Sequence, residues 1–166
     1  MSTAALLFFP IAMAIAASSD LLTMRISNKL VLLLTAGFFI VAVAVNLPLQ
    51  QFAMHVLCSL IVLAVSFGLF ALRLIGGGDA KLAAATTLWL GFGTTLPYLG
   101  YTALLGGVLT IVILLLRGLP LNPVLARMTW LARLHNKRSG IPYGVAMAVA
   151  GIMVYSNSAI FERLAA

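Results

Sequence analysis

Asp20, Asp79 and Glu162 are the only acidic residues in this chain of 166. Glu162 lies four residues from the C-terminus beside Arg163, where a solvated terminal charge is its simplest reading. Asp20 and Asp79 each border a long apolar run, and ionisable groups in such positions are costly to keep and point to function. Two carboxylates brought within a few ångströms cannot both ionise freely, so the pair holds one proton between them. That state suits peptide hydrolysis. The charged member takes a proton from water, and the neutral one hydrogen-bonds or protonates the scissile carbonyl. Each acid also has a plainer role open to it. Asp20 suits an ion pair with Arg25 or Lys29, and Asp79 suits the N-cap of a helix beginning at Ala80.

No other residues offer an equally good hydrolytic set. His55 and His135 have no companion at metal-ligand spacing and read as interfacial residues. Cys58 is the single cysteine, which excludes an internal disulfide and a cysteine zinc cluster and leaves a small apolar residue inside a span. Neither a metal nor a cofactor is expected. Gly76, Gly77 and Gly78 run directly into Asp79. Three glycines remove side chains where another backbone must approach, and they permit positive φ, so an extended peptide segment fits against them.

The elements that must position these acids follow from composition. The chain is 63% hydrophobic and 8% charged, with a mean hydropathy of +1.17. A soluble domain carries about 25% charged residues, so this is a membrane protein, read as one embedded domain over residues 1–166. Residues 1–19, 30–72, 82–116 and 139–161 carry no Asp, Glu, Lys or Arg. A spanning helix needs about 20 apolar residues, so these runs of 19, 43, 35 and 23 hold one, two, two and one spans, six in all. The two long runs fold back at Asn46–Gln51 and at Gly91–Pro97. Backbone groups in lipid must be satisfied within the segment, so the spans are helices. The runs are continuously apolar without alternation, which excludes a β-barrel. The expected fold is therefore an all-α, six-span helical bundle. Residues 1–19 lack the positive charge of a secretory signal and read as a retained span.

Nine of the ten basic residues fall in loops of one parity: Arg25 and Lys29, then Arg73 and Lys81, then Arg117, Arg127, Arg133, Lys137 and Arg138. Positive-inside bias puts those loops in the cytoplasm and both termini outside, in the periplasm. Asp20 and Asp79 then share the cytoplasmic face at similar depth. The net charge of +7 is accounted for by orientation and by contact with anionic lipid rather than nucleic acid. In the last cytoplasmic loop, Leu121, Val124, Leu125, Met128 and Leu131 form a stripe that Arg127 and Arg133 avoid, so Leu121–Leu134 reads as an interfacial helix.

Three segments carry a family resemblance. Asp20 to Asn28, with Arg25, Ile26 and Asn28 in step, resembles the first-aspartate motif of type IV prepilin peptidases, D-x4-R-I-x-N. Gly76 to Leu82 resembles their second motif, GxGD followed by a small residue and Lys81. Ile141-Pro142-Tyr143-Gly144 resembles the Pro-Tyr-Gly segment that opens their last helix. The order agrees and the resemblance covers nearly the whole chain, closest to the short TadV/CpaA type that serves tight-adherence (Flp) pili. It implies that Asp20 and Asp79 are the catalytic pair of an intramembrane aspartic endopeptidase in the bacterial inner membrane. It also implies prepilin and pseudopilin substrates, with a short basic leader ahead of an apolar helix, cut after a glycine at the cytoplasmic boundary. Span one begins almost at Met1 and Cys58 stands alone, so the resemblance leaves no separate N-terminal methyltransferase or zinc region. Presenilin-like proteins share GxGD but pair it with Tyr-Asp and Pro-Ala-Leu, neither of which occurs here.

The remaining motif residues carry smaller expectations. Arg25 and Asn28 fix the end of span one, with Arg25 biasing the charge of the acid pair. Lys81, two residues past Asp79, points elsewhere on the helix, toward substrate or lipid phosphates. Pro142 sits in the first turn of span six. Tyr143 is an interfacial anchor or a wall of the site. Two other functions fit an acid-poor membrane bundle. A proton-coupled transporter or channel would favour acids near the bilayer midplane and inverted repeats. A non-enzymatic pilus-assembly scaffold would leave both aspartates dispensable.

Overall fold

A computed structural model of the chain describes residues 3–121 and 127–165. These residues form seven helices and no strand. The first helix, α1 (Thr3–Thr23), ends where Met24 takes φ 55° and its N–H closes on the Asp20 carbonyl at 2.7 Å. Arg25 and Ile26 lead out to Ser27, which caps α2 (Asn28–Ala44) by accepting the Lys29 N–H at 3.2 Å. The chain reverses over Val45–Pro48, with Asn46 at φ 49°, which overlaps the turn expected at 46–51 only over 46–48, since Leu49, Gln50 and Gln51 already belong to the next helix. It then runs through α3 (Leu49–Ala71) to Arg73 at φ 60°.

The next helix, α4 (Gly77–Gly118), covers 42 residues and is broken at Gly91, whose φ of 68° and ψ of −179° are not helical. An unbroken helix would carry Thr102 about 35 Å from Asp79 at 1.5 Å per residue. Instead both residues line one cavity, so the second half of α4 returns alongside the first. The expected seven-residue turn at 91–97 is thus condensed into one residue, and Pro97 lies inside the resumed helix. Gly91 is suited to this twice over. Its backbone region is essentially closed to other residues, and a Cβ there would stand 2.8 Å from Cε1 of His55. His55 Nδ1 donates to the Leu88 carbonyl at 2.8 Å just before the break. The hydroxyls of Thr94 and Thr95 donate to the carbonyls of Leu90 and Gly91 at 2.8 and 2.7 Å. His55 is therefore a buried packing residue of the reversal, not the interfacial residue its sequence position suggests.

A short helix, α5 (Thr129–His135), follows. It is the described part of the interfacial helix expected over 121–134, of which Val124 and Leu125 lie outside the described residues. Its Leu131 and Leu134 face Ile113 and Leu116 of α4 across a small cavity. The last apolar run forms two helices, α6 (Tyr143–Tyr155) and α7 (Ala159–Ala165), bent by 54°. Ser158 makes the corner, donating to the Tyr155 carbonyl at 2.7 Å and accepting the Phe161 N–H at 3.2 Å.

By length and composition, α1, α3 and α4 are each able to cross a membrane, and α6 with α7 qualifies only as a bent pair. The apolar α2 has 17 residues, or about 26 Å of rise. The core is centred on Trp89, fully buried, with Phe8, Phe9, Phe38 and Tyr155 around it. Its indole N–H donates to the Leu34 carbonyl at 2.9 Å. One residue in the first half of α4 thereby fastens α1, α2 and α6 together.

Candidate active site

Asp20 occupies the last turn of α1 and is 6% exposed. Its Oδ2 accepts the main-chain N–H of Gly144, in the first turn of α6, at 2.7 Å. This places α6, rather than Arg25 or Lys29, against the acid. The packing admits nothing larger than glycine at 144 without displacement, since a Cβ would lie 2.8 Å from Oδ2 and 3.0 Å from Cβ of Asp20. Because an N–H can only donate, Oδ2 is held as an acceptor, and the other Asp20 oxygen is left free of this contact.

Asp79 is half-buried and stands in the first turn of α4, which starts at Gly77 with Gly76 as its N-cap. It is not the cap of a helix beginning at Ala80. Its carboxylate turns back over Gly76, with Oδ2 2.8 Å from where a Cβ at 76 would be. The three glycines admit close approach as expected, but by different means. A Cβ at Gly77 would meet the Phe70 ring at 3.1 Å, and one at Gly78 would meet Cβ of Ile26 at 3.3 Å. Positive φ is not used here, since among the described glycines only Gly91 adopts it. Glu162 is exposed, as expected of a solvated terminal charge.

Both acids line one cavity of about 1340 Å³. Its walls come from the end of α1, the half of α3 from Cys58 to Leu69, the glycine loop, the returning half of α4 from Phe92 to Ala103, and Gly140, Ile141 and Tyr143. Most of that lining is apolar. The acids, Arg25, Arg73, Ser66, Thr95 and Thr102 are among its polar exceptions.

The other motif residues divide into those at the cavity and those behind it. The side chain of Arg25 lines the cavity, while its carbonyl accepts the hydroxyls of Ser19 and Thr23 at 2.9 and 3.2 Å, closing the end of α1. Asn28 and Lys81 are not among the lining residues. They meet each other, with Lys81 Nζ donating to Asn28 Oδ1 at 3.2 Å, and so tie the first motif to the second. Pro142 is fully buried as the N-cap of α6, one position before the first turn. Tyr143 is a wall of the cavity, with its ring over Gly106, where a Cβ would clash with the ring carbons.

Several residues at the site went unforeseen. Cys58 is buried, but it also pairs with the Thr95 hydroxyl at 3.2 Å and lines the cavity. Tyr98 is fully buried in the cavity wall, and its hydroxyl and that of Thr102 have no hydrogen-bond partner among the described residues. Asp79 lies in the electrostatic neighbourhood of Tyr98. The signal was a polar face in an apolar span, Thr95, Tyr98 and Thr102, at helical spacing. Arg117, counted above as a loop cation, is 8% exposed and donates to three main-chain carbonyls: Leu134 at 2.8 Å, Ser139 at 3.0 Å and Gly140 at 2.8 Å. Arg133 makes a related contact from α5, donating to the Leu22 carbonyl at 3.1 Å, two residues beyond Asp20.

The arrangement sets two carboxylates from distant parts of the chain beside a space wide enough for water and an extended peptide, next to backbone stripped of side chains. Among known families, the type IV leader peptidase family has a model that matches residues 7–111. That stretch contains both acids. No curated protein and no solved structure matches the chain.

Proposed function

This chain belongs to the type IV leader peptidase family, and from that premise we propose that it is an aspartic endopeptidase whose catalytic pair is Asp20 and Asp79. Membership makes it a peptidase acting on prepilin-type substrates. The aspartic assignment rests on one observation: the two acids, from distant parts of the chain, open on a single cavity. In the proposed reaction the pair holds one proton. The ionised oxygen draws a proton from water as the water attacks the scissile carbonyl, and the protonated carboxyl hydrogen-bonds the carbonyl oxygen and then donates to the leaving amine. Gly144 occupies Oδ2 of Asp20 and leaves the other oxygen for this task. The glycine run at 76–78 gives the unwound substrate main chain a surface to lie on.

The chain is further proposed to cross the bacterial cytoplasmic membrane six times, by α1, α2, α3, each half of α4, and α6, with the site toward the cytoplasm. The placement of nine of its ten basic residues supports that orientation. The substrates are proposed to be Flp-type prepilins and pseudopilins, from the closeness of the three motifs to the tight-adherence type. Hydrolysis is the whole of the proposed chemistry, without methylation of the new N-terminus.

The test is cleavage of a synthetic precursor by purified, detergent-solubilised protein. Asp20→Asn and Asp79→Asn are each expected to insert normally and to lower kcat by roughly 10²–10⁴-fold, the range of general acid–base catalysis. Processing by either variant at the unmodified rate would remove the acid pair from the mechanism.

A further inference from the structure

We propose that Arg117 is a positioning residue for Asp20, acting through the segment from Ser139 to Gly144; this rests on the peptidase reading above. Arg117 ends the long second half of α4 and is 8% exposed. A buried guanidinium is ordinarily matched by a carboxylate, yet among the described residues the partners of this one are the carbonyls of Leu134, Ser139 and Gly140, at 2.8, 3.0 and 2.8 Å. A guanidinium presents several donors in a fixed planar fork. Here that fork grips two consecutive carbonyls of the loop and the last turns of α5 at once.

The gripped loop leads directly into the site. Gly140, Ile141 and Tyr143 line the cavity, Pro142 is fully buried, and Gly144 gives its N–H to Asp20 at 2.7 Å. Three residues separate the last gripped carbonyl from the donor that orients the acid. Within that stretch the proline ring fixes its own φ and restricts the residue before it, and the Tyr143 N–H closes on the Ile141 carbonyl at 2.8 Å. A short segment so constrained transmits the position of one end to the other. Arg117 thus sets where the Gly144 N–H stands, and that N–H sets which oxygen of Asp20 is free to react.

The experiment is a double-mutant cycle on the full-length protein, with cleavage kinetics of a synthetic precursor and amide hydrogen exchange as readouts. Arg117→Met is expected to lower kcat roughly 10- to 100-fold with KM little changed, the scale of one charge-assisted hydrogen-bond network. Gly144→Ala, which pushes a Cβ against Asp20, is expected to lower kcat at least as far. If both act through the same contact, the double variant falls no further than about threefold below the worse single variant. Exchange at Gly144 speeds up in Arg117→Met while α3 amides keep wild-type protection. Arg117→Lys keeps the charge but lacks the planar fork. It covers the case in which the methionine variant does not fold, and it is expected to fold and to show the same kcat loss with intermediate size. Losses that multiply in the double variant, wild-type kcat in both Arg117 variants, or unchanged exchange at Gly144 would each overturn the assignment. If the unmodified protein cuts no precursor, the peptidase reading fails instead, and the exchange arm still decides whether Arg117 holds the Gly144 contact.

Discussion

The two acids could be read from the sequence because they are scarce. In a chain with three carboxylates, any acid beside an apolar run must justify its place, and charge bias alone put Asp20 and Asp79 at one face. What Asp20 touches could not be read. Its donor is a main-chain N–H 124 positions along the chain, and main-chain groups carry no residue signature. Arg117 was hidden differently: five cations share its stretch of sequence, and only packing separates the buried one from the exposed ones. Tyr98 offers a prediction at this scale. Its hydroxyl makes no hydrogen bond of good geometry among the described residues and has only the hydroxyls of Thr86 and Thr102 for neighbours, so removing it deletes at most a weak contact. Tyr98→Phe is expected to hold or raise stability by up to ~1 kcal/mol, since an unsatisfied buried polar group is itself a cost. A thermal melt in detergent checks this, and a clear loss of stability would mean that the hydroxyl has a partner in the folded protein.

At the level of elements, breaks were easier to find than to locate. The first long apolar run reverses at Val45–Pro48, around Asn46 and Pro48 and shorter than the expected stretch to Gln51, because the punctuating residues are few and close together. The second run holds Gly91, Gly93 and Pro97, all helix breakers in isolation, and the chain uses only the first. The choice is tertiary. His55 on α3 fills the space a side chain at 91 would need, while Pro97 is accommodated within the resumed helix. Similarly, α6 and α7 read as one run because their corner is made by Ser158, a residue that helices also accept. Gly91→Ala is expected to destabilise the protein by about 1–3 kcal/mol from the backbone conformation alone, with the contact against His55 adding to it. Adding His55→Ala relieves the contact but not the dihedral, so melting temperatures should rank wild type above the double variant. A Gly91→Ala protein as stable as wild type would mean that the reversal does not depend on this residue.

For the molecule as a whole, class was plain and path was not. A chain 63% hydrophobic and 8% charged has to be a membrane bundle, and every regular element among the described residues is a helix. The number of crossings depends on how α2, the two halves of α4 and the bent α6–α7 pair lie in the bilayer. Six crossings make a definite prediction. With Cys58 replaced by serine, single cysteines at Arg73 and Arg138 should react with an impermeant thiol reagent only from the cytoplasmic side, and one at Arg163 only from the periplasmic side; labelling of all three from one side refutes the odd-loop orientation. The tight reversal has one more consequence. Eleven residues separate Asp79 from Gly91, and with no slack at the hinge that count acts as a ruler, fixing both the depth and the compass bearing of the acid. One alanine inserted into the interval would swing Asp79 by about 100° and turn it out of the cleft while leaving the apolar character of the segment intact. A protein lengthened in this way should be made and inserted in normal amounts yet cut nothing, so that a purely geometric lesion mimics the loss of the carboxylate itself.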